Sequence, residues 1–182
     1  MIINNKEFTI KGLHYTIRSA VIEDAESLSQ LRLQIDGETE NLDREKGEAF
    51  IDTEGFSQLI KVDTESARNL FLVAEVKGQL VAFSRCEGNP LKRFSHKVEF
   101  GVGVLQEFWG YAIGKNLLIE SIAWAEANNI TKMTLQVLET NEKAVKLYES
   151  LGFEVEGVLK RDKILSDGNY YNTIVMGRFM EE

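Results

Sequence analysis

Proline and cysteine are nearly missing from this chain: one of each in 182 residues. With a lone thiol no disulfide forms within the chain, which excludes the disulfide-dense scaffolds of small secreted proteins. Cys86 lies in the apolar stretch Leu80-Val-Ala-Phe-Ser-Arg-Cys. It reads as a small core residue, because a thiol nucleophile needs an activating base and no cue for one lies nearby. Long apolar runs are lacking too. Met1-Ile-Ile-Asn-Asn-Lys-Glu-Phe carries charges and amides where a secretory signal has an unbroken apolar segment, and no later stretch approaches a membrane-spanning length. The expected compartment is therefore the cytoplasm, with no membrane partner. Positive charge is scarce: 21 Lys and Arg against 29 Asp and Glu give a net charge of -8. That balance argues against a nucleic-acid partner, since phosphate contacts need clustered Lys and Arg, and it suits a cationic or amine partner. His14 and His96 have no second ligand at metal spacing, so no metal is expected.

What is present suffices for a packed core. Hydrophobic residues make up 43% and aromatics 9%, which excludes a disordered or collagen-like chain, and the length suits a single domain over 1–182. Leu13-His-Tyr-Thr-Ile-Arg-Ser alternates as a half-buried strand, and Ala25, Leu28, Leu31 and Ile35 repeat at helical spacing over 23–35. An acidic stretch, 36–63, holds Asp36, Glu38, Glu40, Asp43, Glu45 and Glu48 and is broken by glycines at 37, 47 and 55. One or two short helices are expected there, with the carboxylates either solvated or attracting a polyamine. Strands at 70–76 and 80–85 make a hairpin about Gly78. In Lys97-Val-Glu-Phe-Gly-Val-Gly-Val-Leu, Val98, Phe100, Val102 and Val104 share one face of a strand, and Glu99 shares the other with Gly101 and Gly103, which should leave space beside it. A helix over 113–128, a strand over 133–138, a helix from 140–141 to Leu151 stopped by Gly152, and strands over 154–165 and 170–179 complete a mixed α/β pattern.

Two segments carry the chemistry. The first is Val102-Gly-Val-Leu-Gln-Glu-Phe-Trp-Gly-Tyr-Ala-Ile-Gly-Lys-Asn-Leu-Leu, a strand, a glycine-bearing loop and a helix. Such a loop leaves several backbone N–H groups unpaired and pointing one way, and the helix dipole adds partial positive charge, which suits a pyrophosphate. Any strand-to-helix turn can use two glycines, however, and neither a Rossmann nor a Walker pattern is present. Lys115 either adds charge near a phosphate or solvates the helix. The second segment is Leu135-Gln-Val-Leu-Glu-Thr-Asn-Glu-Lys-Ala-Val-Lys-Leu-Tyr-Glu-Ser-Leu-Gly-Phe.

Together these segments closely resemble the GNAT N-acetyltransferase superfamily. In it a Gln/Arg-x-x-Gly-x-Gly/Ala loop is followed by a strand and then an Asn-x-x-Ala-x-x-Leu-Tyr-x-x-x-Gly-Phe helix. The loop pattern falls on Trp109, Gly110, Tyr111, Ala112, Ile113 and Gly114, and the helix pattern on Asn141, Ala144, Leu147, Tyr148, Gly152 and Phe153. Glu99-Phe-Gly-Val-Gly-Val and Asp167-Gly-Asn-Tyr-Tyr-Asn-Thr-Ile-Val-Met look most like the ribosomal-protein N-terminal and spermidine-type acetyltransferases. Trp109 stands where Arg or Gln is usual, and Ala112 where Gly is.

The resemblance implies a central, mostly antiparallel sheet with splayed middle strands flanked by helices, and acetyl-CoA as cosubstrate. The main chain from Trp109 to Lys115 would grip the diphosphate. Pantetheine would lie between the parting strands against Val102 and Val104, near Asn141, Ala144 and Tyr148. The acceptor would be a primary amine, small or peptide-borne, attacking directly. Near pH 7 only about one lysine-like amine in a few thousand is neutral, so a base helps. Glu99 is either that base, directly or through water, or a sheet-face carboxylate that pairs with a cation. Tyr148 is either a general acid for the departing thiolate or a core tyrosine. A non-catalytic acyl-CoA sensor of the same fold, or an interaction module that binds no CoA, would carry many of the same features. In related folds an exposed last strand, here Tyr170 to Phe179, joins subunits, which keeps a homodimer open.

Overall fold

The computed structural model describes residues 2–180; Met1, Glu181 and Glu182, which the expected domain of 1–182 takes in, lie outside the described residues. Eight strands form one sheet in the order β1-β2-β3-β4-β5-β6-β8-β7. They are β1 (Lys6–Ile10), β2 (Leu13–Ser19), β3 (Leu70–Val76), β4 (Gln79–Gly88), β5 (Lys97–Val104), β6 (Lys132–Leu138), β7 (Glu154–Ile164) and β8 (Tyr170–Phe179). Four helices accompany them: α1 (Ala25–Glu38), α2 (Thr53–Glu65), α3 (Ile113–Ala127) and α4 (Glu142–Ser150). Among the described residues no helix is long and apolar enough to cross a membrane.

The sequence patterns explain the layers. In β3, Leu70-Phe-Leu-Val-Ala-Glu-Val is apolar on both sides because both sides are covered. Phe56 of α2 meets Phe71 on one face, with ring centroids 6.4 Å apart. On the other face α3 buries Leu117, Leu118, Trp124 and Ala125 in the core. Each buried leucine there contributes about 1.5–3 kcal/mol of transfer free energy. Cys86 faces α3, fully buried, and burial pushes its thiol up to about 12, so it stays protonated and inert as its apolar setting suggested. Gly152, at φ +82, ends the α4 turn, and Phe153 follows it into the core.

The described chain departs from expectation in four places. The short edge strand β1 precedes the first expected strand. The last strand is not an edge: β8 pairs with β6 on one side and β7 on the other, and β7 is the border of the sheet. Gly103 leaves no space, since a Cβ there would come within 3.3 Å of the Phe83 ring and 3.4 Å of Ile35, whereas nothing lies within 4 Å of the same position on Gly101. The acidic segment is a solvated face only in part: Glu40, Asp43, Glu45 and Glu48 are exposed, whereas Asp36 is buried. Asp36 is buried against Arg44 and Arg32, Glu38 accepts from the Gln106 amide, Glu40 from the Ser166 amide, and Asp43 pairs with Lys163. Glu40 and Asp43 strap the 39–52 segment across to the β7–β8 hairpin.

Candidate active site

The site begins where two neighbouring strands part. Among the described residues all strand pairs but one are antiparallel; β5 and β6 run parallel and pair only as Lys97–Lys132, Val98–Met133 and Glu99–Thr134. Beyond Glu99 they separate. On its other edge β5 stays paired with β4 as far as Val104–Ala82, and Leu105 donates to the Val81 carbonyl at 3.0 Å. Antiparallel ladders alternate, so this bond turns the main-chain groups of Val102 and Val104 away from β4, toward the gap. The structure thus gives a wedge with peptide groups along one wall, into which an extended amide-bearing arm can dock as an added strand does.

At the far end of that wall the chain turns into α3. Ala112 takes a left-handed φ of +59, Gly110 one of +84, and no side chain caps the helix. Among the described residues the amides from Gly110 to Lys115 donate no hydrogen bond. Six donors at the positive end of a 15-residue helix, with no acidic side chain in its first turn, make a receptor for a multiply charged anion. Gly114 packs against Val104: a Cβ there would lie 3.5 Å from the valine. Trp109 is 46% exposed, and its indole N–H donates to the Val104 carbonyl at 2.9 Å, so that carbonyl is taken while the Val104 amide remains.

A residue that sequence reading passed over holds this loop. Tyr15 of β2 is fully buried; its hydroxyl donates to the Tyr111 carbonyl at 3.2 Å and accepts from Asn116 Nδ2 at 2.7 Å. Burial pushes the phenol above its ordinary value, against the Asn116 hydrogen bond, so it keeps its proton and its donor role. The apolar-polar alternation of β2 marks Tyr15 as core but carries no sign of a partner 96 residues away.

Glu99 and Tyr148 lie on opposite faces of the sheet. Glu99 pairs across β4 with Glu87, on the face where Arg85 reaches Asp63 of α2. Glu87 pairs with Arg85 at 2.8 Å; Glu99 is exposed and has no ion-pair partner among the described residues. Tyr148 lies on the α3 side. Arg178, which pairs with Met133, donates to the Leu151 carbonyl at the end of α4 and to Glu126 of α3, tying both helices to one face. The Tyr148 ring is half-buried against Phe153, with centroids 5.9 Å apart, and burial pushes its phenol up to about 12. Asn141 Oδ1 accepts from the Ala144 amide at 3.4 Å, so the Ala144 amide is used within the helix and the Asn141 amide donors stay open. Lys115 is exposed on the first turn of α3. A hollow of about 370 Å³ beside α1, lined by Gln30, Gln34, Gly37 and Lys46 among others, holds none of these groups. No cluster of metal-ligating side chains occurs among the described residues.

Known proteins resemble this chain in sequence and fold. The family model described as Acetyltransferase (GNAT) family matches residues 33–153. The L-amino acid N-acetyltransferase AaaT of Escherichia coli (strain K12) is 29% identical over 108 residues, covering 59% of this chain and 66% of that protein, just under two thirds of its length. The [ribosomal protein bS18]-alanine N-acetyltransferase of Haemophilus ducreyi is 25% identical over 119 residues, covering 65% of this chain and 79% of that protein. Among solved structures, an acetyltransferase of the GNAT family from Streptococcus pneumoniae superposes with a TM-score of 0.88 at 24% identity, over 91% of this chain and 99% of that one. At that identity the likeness is one of fold.

Proposed function

We propose that this chain, which belongs to the acetyltransferase (GNAT) family, works as an acetyl-CoA-dependent N-acetyltransferase whose acceptor is a primary amine, a protein N-terminus, polyamine or other small amine, which attacks the thioester directly. The observation that carries this reading is the parting of β5 from β6 beyond Glu99, with free peptide groups on one wall and an uncapped helix at its end. The diphosphate of coenzyme A lies on the amides from Gly110 to Lys115, and pantetheine runs along Val102 and Val104, flanked by Asn141, Ala144 and Tyr148. The Val104 amide faces the acetyl oxygen and donates to the negative charge that develops there.

Chemistry then divides between the two faces. Glu99, open on the α1–α2 side, takes a proton from the incoming ammonium, directly or through water. The neutral nitrogen attacks the carbonyl carbon, the C–S bond breaks, the nitrogen gives its second proton to solvent, and the thiolate leaves on the α4 side. Tyr148 waits there with its proton. Its phenol stands at about 12, so full transfer to a thiolate whose acid resembles a Cys thiol near 8.5 is uphill by about 5 kcal/mol. Its hydroxyl therefore serves the sulfur as a hydrogen-bond donor, and solvent completes the protonation. With Cys86 sealed in the core, no thiol offers itself for a covalent acetyl-enzyme. We place the protein in the cytoplasm, acting as one domain.

The test is calorimetry with acetyl-CoA followed by thiol release on a panel of amines: an α-amino acid, a peptide N-terminus, spermidine and an aminoglycoside. Binding with amine-dependent thiol release is the expected result. Binding without release from any amine would favour an acyl-CoA sensor, and no binding would end the assignment.

A further inference from the structure

We propose that Lys11, in the turn between β1 and β2, supplies the cationic contact to the coenzyme A diphosphate that position 109 lacks. The inference rests on the reading of the Trp109–Lys115 loop as the diphosphate site.

The loop is short of charge. Trp109 occupies the position where the family pattern carries Arg or Gln, and its indole is spent on the Val104 carbonyl. Main-chain amides and a helix terminus supply partial charges, on the order of half a unit, against a diphosphate that carries about two. A side-chain cation at the loop would meet the difference, and the fold brings one from a distant part of the sequence. Lys11 and Gly12, at φ +50 and +81, make a two-residue hairpin turn between Ile10 and Leu13, which pair. The hairpin is fastened to the loop through Tyr15: Phe8 of β1 stacks on its ring at 5.3 Å, and its hydroxyl bonds the Tyr111 carbonyl and Asn116. As a result Lys11 Nζ stands 3.9 Å from where a Cβ on Gly110 would be.

Two features point this ammonium toward an external anion. It has no carboxylate partner among the described residues, in a chain with 29 acidic groups against 21 basic ones. Its Nζ sits beside Gly110, the first of the six open amides. A compact, flexible ammonium suits a diphosphate as a point charge added to a main-chain grip.

Titrate acetyl-CoA calorimetrically into the full-length protein and into K11M, K11R and K11M/W109R. At low ionic strength K11M should bind about five- to tenfold more weakly, the loss of one partly exposed charge-assisted contact, and K11R should bind like the parent. The deficit should shrink several-fold near 1 M salt, where the screening length falls to about 3 Å. It should be the same for 3′-dephospho-CoA, and Arg at position 109 should restore binding to K11M. Unchanged affinity in K11M overturns the proposal. A deficit independent of salt overturns it in favour of a structural role for the turn. A deficit that vanishes with 3′-dephospho-CoA moves the contact to the 3′-phosphate and overturns the diphosphate assignment, and failure of W109R to restore binding breaks the link between positions 11 and 109. If the parent protein binds no acetyl-CoA, the enzymatic reading and this one fall together; a parent that binds while K11M binds equally well defeats only this one.

Discussion

Helices α2 and α3 are of similar length but begin in opposite ways. Asp52 closes α2, its Oδ1 accepting from the Gly55 amide at 2.8 Å, with Glu54 in the first turn. α3 starts from a left-handed Ala112 with no side-chain cap and no acid in its first turn. A helix closed by its own carboxylate is complete; one that leaves its donors open forgoes about 1 kcal/mol of capping stability, and that arrangement fits an anion held from outside. The comparison is sharpened by position, since Gly114 packs on Val104, at the end of the wall where β5 leaves β6.

The most severe way to break the contrast is to close α3 as α2 is closed. Ala112→Asp places a carboxylate at the N-cap in a left-handed conformation that Asp tolerates better than Ala. It competes for the same amides and repels the diphosphate, so acetyl-CoA affinity should fall on the order of 100-fold while thermal stability holds or rises. Calorimetry and a melting curve read both. Retained affinity would mean that the phosphate lies elsewhere.

Chemistry at the other end of the wedge should respond in kcat and spare binding. Tyr148→Phe should lower kcat about 10- to 100-fold with little change in acetyl-CoA Kd, the range for one hydrogen bond made to developing charge. Burial raises the Tyr148 phenol to about 12, so the donor is present below that pH and lost only above it; the wild-type and Phe enzymes should therefore give parallel pH profiles from 7 to 10. An alkaline limb that disappears in the Phe enzyme would contradict this. Glu99→Gln should cost about tenfold near pH 7 and less near pH 10, where more of the amine is already neutral. An equal loss at both pH values would leave Glu99 as a carboxylate that only pairs with the incoming cation.

Most of the frame was legible in the sequence because it depends on local pattern. Alternation marks β2 and β5, helical spacing marks α1 and α3, and Gly152 marks the end of α4. The site was legible only where the two motifs carry it. Lys11, Tyr15 and the strap of Glu40 and Asp43 were not, since each acts on a partner about 95 to 125 residues away, and no window of sequence holds both. The short strand β1 was missed because Lys6-Glu-Phe-Thr-Ile has only two apolar positions and takes its order from pairing with β2. The space expected at Gly103 was misjudged for the same reason, since Phe83 and Ile35 fill it from β4 and α1.

Helix α4 stands between the two extremes and gives the finest test. Asn141 caps it through Oδ1, as Asp52 caps α2, yet its two amide donors remain open, and under the proposed function one side chain would serve both the helix and the pantetheine. Asp52→Ala at the closed helix should cost about 1 kcal/mol of stability and leave acetyl-CoA affinity unchanged. Asn141→Ser keeps an acceptor at the cap but removes the amide donors, so its stability should stay within about 0.5 kcal/mol of the parent while affinity falls about threefold. Asn141→Ala should lose both. Were Ser and Ala to bind equally tightly with only Ala destabilised, Asn141 would be a cap alone, and α4 would belong with α2 rather than beside the open end of α3.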